Sequence, residues 1–171
     1  EGSSAAVSNV TSCDNTFDDG LNDAVGSRMD ISNARDITKG FDDVAWGAKR
    51  ASVTISNVSV VAASFNTIGF LSTDVEFTLT DVSDVSDSFA STLWSATRGS
   101  LLVTRAARWR GSMKKTLLTA RGTSMRVVHA TDLSGESFDR ALKSSNDCWG
   151  EFENLDGVNA SISDFGLEST N

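Results

Sequence analysis

The sequence predicts a mainly-β domain: an antiparallel β-sandwich or barrel-like sheet with one flanking α-helix. Three observations predict it. Short segments in which apolar and polar residues alternate recur along most of the 171-residue chain, the period of a half-buried strand. One stretch, Ser86 to Arg98, changes to a helical spacing. Near the C-terminal end, Asp156-Gly157 stands between two strand-like runs, the strongest local hairpin signal in the chain. Strict repeats are not visible, which argues against a solenoid or propeller. Hydrophobic residues make up 39% and charged residues 22%, enough to build a core in one domain over 1–171. Apolar runs are short, as in Val60–Ala63, so no membrane-spanning helix is expected. No basic segment followed by an apolar stretch opens the sequence, so no secretory signal is expected. Proline and tyrosine are absent.

Residues 1–26 are small, polar and acidic and read as an N-terminal arm or loop. Asp14, Asp18, Asp19 and Asp23 surround Gly20, but this is not an EF-hand. Phe17 falls on a ligand position and Gly26 where a bidentate Glu is needed. Val7–Thr11 and Arg28–Ser32 read as short strands, the second with Met29 and Ile31 on one side. Asn33–Lys49 reads as a loop. Ala51–Ala63 is a strand whose phase slips at Asn57, where a bulge is expected. Asp74–Asp81 alternates cleanly, with Val75, Phe77 and Leu79 on one face. The helix follows, with Phe89, Ala90, Leu93 and Trp94 as its buried stripe, Asp84 as its cap and Arg98-Gly99 at its end. Capping and the helix dipole then account for Asp81, Asp84 and Asp87 without a metal. Leu101–Trp109, Met113–Ala120 and Met125–Thr131 read as strands. Phe138, Ala141 and Leu142 suggest a second, short helix. Cys148–Leu155 and Val158–Phe165 form the expected hairpin.

The net charge is −8, from 15 basic and 23 acidic residues. Its distribution is uneven. No Asp or Glu lies between Ser88 and Thr131, whereas Arg98, Arg105, Arg108, Arg110, Lys114, Lys115, Arg121 and Arg126 do. Segregation of this kind points to an interaction surface. The alternatives are a solvated basic hairpin, a polyanion site, and self-association of the basic patch with the acidic surface of another copy. Self-association is preferred to nucleic acid: aromatic platforms are sparse in the basic stretch, and most of the chain would repel phosphate.

Little points to catalysis, and the chain is expected not to be an enzyme or to need a cofactor. His129 is the single histidine, and its strand context favours a sheet histidine over a general base. No nucleophile elbow, Walker sequence or dinucleotide fingerprint occurs. Glu151 and Glu153 share a strand face at a spacing a glycosidase might use, but acidic residues are too common here for the pairing to weigh much. Trp109 and Trp149 read as core more readily than as a sugar platform. Cys13 and Cys148 have no metal-ligand spacing. Both a bridge and two thiols stay open.

The order of elements resembles the major tail tube proteins of long-tailed bacteriophages. The resemblance lies in Asp30-Ile31-Ser32 ending a strand, Trp46-Gly47 in the following loop, and the strand Ala51-Ser52-Val53-Thr54-Ile55-Ser56. The helix Ser86 to Arg98 adds to it, as do Gly150, Asp156-Gly157-Val158 and the alternation through Ser161 and Ser163 to Gly166. The basic insertion from Arg105 to Arg126 and the missing prolines depart from it. The resemblance implies a structural subunit that self-assembles head-to-tail, as hexameric rings stacked into a hollow tube. It implies a virion location, assembly in a host cytoplasm, contacts with other virion proteins, and DNA passing without sticking. Arg105, Arg108, Arg110, Lys114 and Lys115 would then make subunit contacts, and Asp14, Asp18, Asp19 and Asp23 would line the lumen or the acidic side of the contact. The alternative is an extracellular β-sandwich module that binds carbohydrate or another ligand.

Overall fold

A computed structural model describes residues 2–14, 18–135 and 138–160. Its described strands are β1 (Ser4–Ser8), β2 (Thr11–Asp14), β3 (Arg28–Thr38), β4 (Ser52–Ala62), β5 (Glu76–Ser86), β6 (Ser100–Arg110), β7 (Ser124–Val128), β8 (Thr131–Gly135), β9 (Trp149–Glu153) and β10 (Asn159–Ala160). Every strand pairing among them is parallel. Arg28 pairs with Ser52, Ser52 with Glu76, Glu76 with Ser100 and Ser100 with Ser124. The constant step is 24 residues, lengthening to 25 between β7 and β9. The chain is therefore a parallel β-solenoid of about six turns.

This corrects the expected fold. There is no antiparallel sandwich or barrel, and no helix among the described residues. The sandwich read from strand alternation and the hairpin signal is not the fold of this chain. Ser86 to Arg98 is not helical: Ser86 ends β5, and the rest is the return segment of a coil. Phe138, Ala141 and Leu142 lie in the return segment of a later coil, again without a helix. Asp156-Gly157 does not close a hairpin. β9 pairs with β7 and β10 with β8, so the turn joins strands that each lie beside the previous coil. The part of the expected last strand beyond Ala160 lies outside the described residues, as does Phe17 of the rejected EF-hand. The acidic segment read as an arm carries β1 and β2, both paired with β3, and forms the first coil.

Each 11-residue strand from β3 to β6 buries residues in the same uneven rhythm. In β4 these are Val53, Ile55, Val58 and Val61. The steps of three come from residues in the left-handed region. Asn57 (φ 49) and Val60 (φ 55) turn outward there. The phase slips at Asn57, as expected, and slips again at Val60, which lies outside while Val58 and Val61 lie inside. The same column holds Asn33, Asn57, Asp81, Arg105 and His129, all at positive φ. Asn, Asp and His tolerate that conformation best among side-chain-bearing residues.

The core is built from identical levels. Met29, Val53, Phe77, Leu101 and Met125 share one inward column, and Ile31, Ile55, Leu79, Val103 and Val127 another. Across the return segments Phe41 stacks on Phe65 at 5.0 Å, and Phe65 on Phe89 at 5.1 Å. Phe89 continues to Trp109 at 5.5 Å. Beside the rings runs a buried serine column. The amide of Gly40 donates to Ser64 Oγ, that of Ser64 to Ser88 Oγ, and that of Ser88 to Ser112 Oγ. The Ser64 and Ser88 hydroxyls in turn donate to the carbonyls of Ala62 and Ser86. Replacing Ser88 with Ala strands the buried Ser64 amide. A loss of about 1–3 kcal/mol is expected, measurable by urea denaturation.

Candidate functional site

Repetition at one step turns every outward column into a row of like-positioned side chains. The side chains that read as functional in the sequence divide between two such surfaces.

The first is the outer side of the long strands. Asn57 donates to Asn33 at 2.7 Å, and one coil on the amides give way to charges. Arg98 grips Asp74 through Nε and Nη2 at 2.7 and 2.8 Å. Arg105 grips Asp81 and Arg108 grips Asp84 in the same two-pronged way, the fork geometry that gives guanidinium–carboxylate pairs their specificity. All three pairs join the coil of β5 to the coil of β6. The Asp81, Asp84, Asp87 triplet is therefore not a helix start. Asp81 and Asp84 are the anionic half of a ladder, and Asp87 lies against Gly111, where an added Cβ would come within 2.7 Å of its Oδ1. Arg105 and Arg108, expected at a contact with another copy, each hold the preceding coil of their own chain.

These pairs are exposed and carry a pH signature. The Asp74, Asp81 and Asp84 carboxyls sit below the usual carboxylate range, chiefly through hydrogen bonds from Arg98, Arg105 and Arg108. Their contribution is present above the ordinary carboxyl value of about 3.9 and is lost as pH falls through the lower folded-state value. Burial pushes the Asp42 carboxyl the other way, with Asp18 and Asp43 adding to the shift; its contribution is lost as pH rises through its raised value. Comparing the protein with its Asp84→Asn variant isolates the ladder. In thermal melts the variant is expected to be less stable at neutral pH, with the difference closing as pH falls through the lowered folded-state value of Asp84.

The second surface is the outer face of the return segments. Backbone bonds run from coil to coil along it: Asp43 to Asn66, Thr67 to Ala90, Ser91 to Lys114 and Lys115 to Asp139. One column reads Asp19, Asp43, Thr67, Ser91, Lys115, Arg140. A neighbouring column reads Asn22, Trp46, Phe70, Trp94, Leu118, Lys143. The two share a face, because Lys115 Nζ lies 5.7 Å over the Trp94 ring and Asn22 donates to Asp19 at 3.0 Å. Trp46, Phe70 and Trp94 meet edge to face at 4.7 and 5.3 Å. Trp46 and Leu71 are 39% and 55% exposed. The face is acidic in the first two coils, apolar in the middle and basic in the last two.

The remaining candidates scatter. Asp18 accepts from the Asp42 amide, and Asp42 from the Asn66 amide, so these carboxylates cap successive coils. Asp14 ends β2, and Asp23 lies against Gly47. Arg110 and Lys114 border an open notch of about 520 Å³ with Asp87 and Gly135. His129 is exposed at a left-handed corner and donates its amide to Glu153. Glu151 and Glu153 are both paired with Arg126, at 3.0 and 2.7 Å. Trp109 is buried with its indole on the Val82 carbonyl, while Trp149 is 55% exposed, so the two form no platform. Cys13 and Cys148 are thiols, in the first and sixth coils. Among the described residues no group of three or more His, Cys, Asp or Glu could hold a metal ion. No family model, curated protein or solved structure matches the chain.

Proposed function

We propose that the chain is a structural subunit that works by associating with copies of itself. The observation that carries this reading is the graded return face. It has Asp18, Asp19, Asp42 and Asp43 at one end and Lys115 and Arg140 at the other, with Phe70, exposed Leu71 and Trp94 between and exposed Trp46 beside the acidic end. A surface that carries both signs at opposite ends of one axis can satisfy itself in a second copy. The order of elements that implied a tube and its DNA channel includes a helix over Ser86 to Arg98 that is not formed, so that reading loses support here, whereas self-association does not depend on it. The sugar-binding alternative gains little from Trp46, Phe70 and Trp94. Their rings are tilted by 66° and 76° to one another and present no common stacking plane.

Sedimentation of the purified chain over a concentration series tests the reading. Mass is expected to rise with concentration and the rise to weaken as salt is added. A monomer at every concentration in low salt overturns it.

A further inference from the structure

We infer that the partner copy docks on the return face in antiparallel fashion, about a two-fold axis that crosses the face between Thr67 and Ser91. The inference rests on the self-association proposed above and specifies its geometry. A two-fold axis lying in the face, perpendicular to the solenoid axis, keeps each column opposite itself and reverses the order of the coils. Coil by coil this sets Asp19 against Arg140, Asp43 against Lys115 and Thr67 against Ser91. In the aromatic column it sets Asn22 against Lys143, Trp46 against Leu118 and Phe70 against Trp94. Every opposition in these two columns is acid on base, polar on polar, or apolar on apolar. The column beside them adds Asp42 against Lys114 and two mismatches: Asn66 against Ala90, and Asp18 against Asp139, where Arg140 lies 3.7 Å from Asp139 in the same chain.

The competing lateral arrangement has the solenoids parallel. It sets each coil beside its own equivalent, so the acidic coils meet each other and the basic coils meet each other. Like charges so placed repel. The antiparallel arrangement also closes: each contact is made twice, and no unsatisfied end is left to recruit a third copy. Coils in a parallel sheet lie about 4.8 Å apart, so the six-coil face is about 29 Å long. A strip of that length and one side-chain layer in width falls at the small end of specific interfaces, the range of weak, transient association.

A charge-swap series read by sedimentation equilibrium tests the geometry. Asp43→Lys and Lys115→Asp are each expected to weaken the dimer by about tenfold or more, because two-fold symmetry repeats each change at a second contact. The double variant carrying both changes restores opposite charges across the interface and is expected to return affinity to within about threefold of the original. A role of either residue inside its own chain would give no such rescue. Leu71→Asp is a second probe that leaves the charged ends intact, and circular dichroism checks the fold of each variant. A dimer that ignores all of these changes, or a double variant weaker than both singles, overturns the two-fold geometry and leaves self-association standing. A parent chain that stays monomeric overturns both.

Discussion

Phe89→Ala is expected to lower folding stability by about 3–5 kcal/mol, the cost of removing a buried aromatic side chain and leaving a cavity. Phe89 is fully buried. It is flanked on both sides in the stack, by Phe65 at 5.1 Å and Trp109 at 5.5 Å, with Phe77 at 6.5 Å across the core. The neighbours cannot close the gap. Their backbones are tied to the coils before and after by bonds such as Phe65 to Gly40, Phe89 to Ser64 and Met113 to Ser88, so the coil spacing is held by hydrogen bonds independent of the ring. The value is therefore expected towards the upper part of the range. Phe89→Met is the informative companion, because Met113 already occupies the equivalent position one coil on. That variant is expected to cost less than about 1.5 kcal/mol. Urea denaturation with a constant m-value is the measurement. A loss below about 1 kcal/mol for the alanine variant would mean that the ring column does not carry the core.

Several strands were legible from the sequence because alternation is a local property. Ala51–Ala63 corresponds to β4 and Leu101–Trp109 to β6, each to within a residue or two at its ends. The phase slip at Asn57 was legible for the same reason. Pairing was not, since alternation along a strand says nothing about the direction of its neighbour. The helix expected over Ser86–Arg98 has a specific physical origin. In each return segment the inward residues fall at i, i+3, i+4 and i+7. They are Phe41, Val44, Ala45 and Ala48 in one coil, and Phe89, Thr92, Leu93 and Ala96 two coils later. This is the stripe of an amphipathic helix, yet here it is made by residues alternating in and out of the left-handed region, such as Phe89, Ser91, Leu93 and Ser95. Trp94, assigned to the buried stripe, is instead on the outer face.

The repeat escaped because it is one of residue class, not identity. Ile31, Ile55, Leu79, Val103 and Val127 are equivalent, and so are Gly40-Phe41, Ser64-Phe65, Ser88-Phe89 and Ser112-Met113. Those small-residue–large-residue pairs at one spacing were the signal available in the sequence. On the charged surfaces the repeat is what gives meaning to the basic stretch. Arg98, Arg105 and Arg108 stand one coil after Asp74, Asp81 and Asp84. Much of the segregation that looked like an external contact is therefore pairing between neighbouring coils.

Removing whole and half coils separates the repeat from the local strands with the largest contrast of all. Deleting residues 52–75 is expected to leave a folded solenoid one turn shorter. The join places β3 beside β5, with Met29 meeting Phe77, Ile31 meeting Leu79, Ala34 meeting Val82 and Ile37 meeting Val85, all buried positions of the intact chain. Phe41 then stacks on Phe89, and the Gly40 amide finds Ser88 Oγ in place of Ser64 Oγ. The poor contacts are Arg50 beside Arg98, which loses Asp74, and Asp36 beside Asp84, which Val60 separates in the intact chain, so some stability is given up at those exposed corners. Solenoid stability is close to a sum over coils and their interfaces, and enough coils remain to bury a continuous core. Deleting residues 52–63 removes about half a coil. It brings return-segment residues such as Ser64 and Phe65 beside β3, with no matching row of inward side chains or strand hydrogen bonds. Residues from 64 on keep their own step of 24, so the mismatch falls at this one interface: the first two coils are expected to detach, the cooperative unit to shrink, and the loss of stability to exceed that of the whole-coil deletion. Far-UV circular dichroism and the cooperativity of urea unfolding read both outcomes. If the half-coil deletion tolerated folding as well as the whole-coil deletion, coil-to-coil register would not be what holds this chain together.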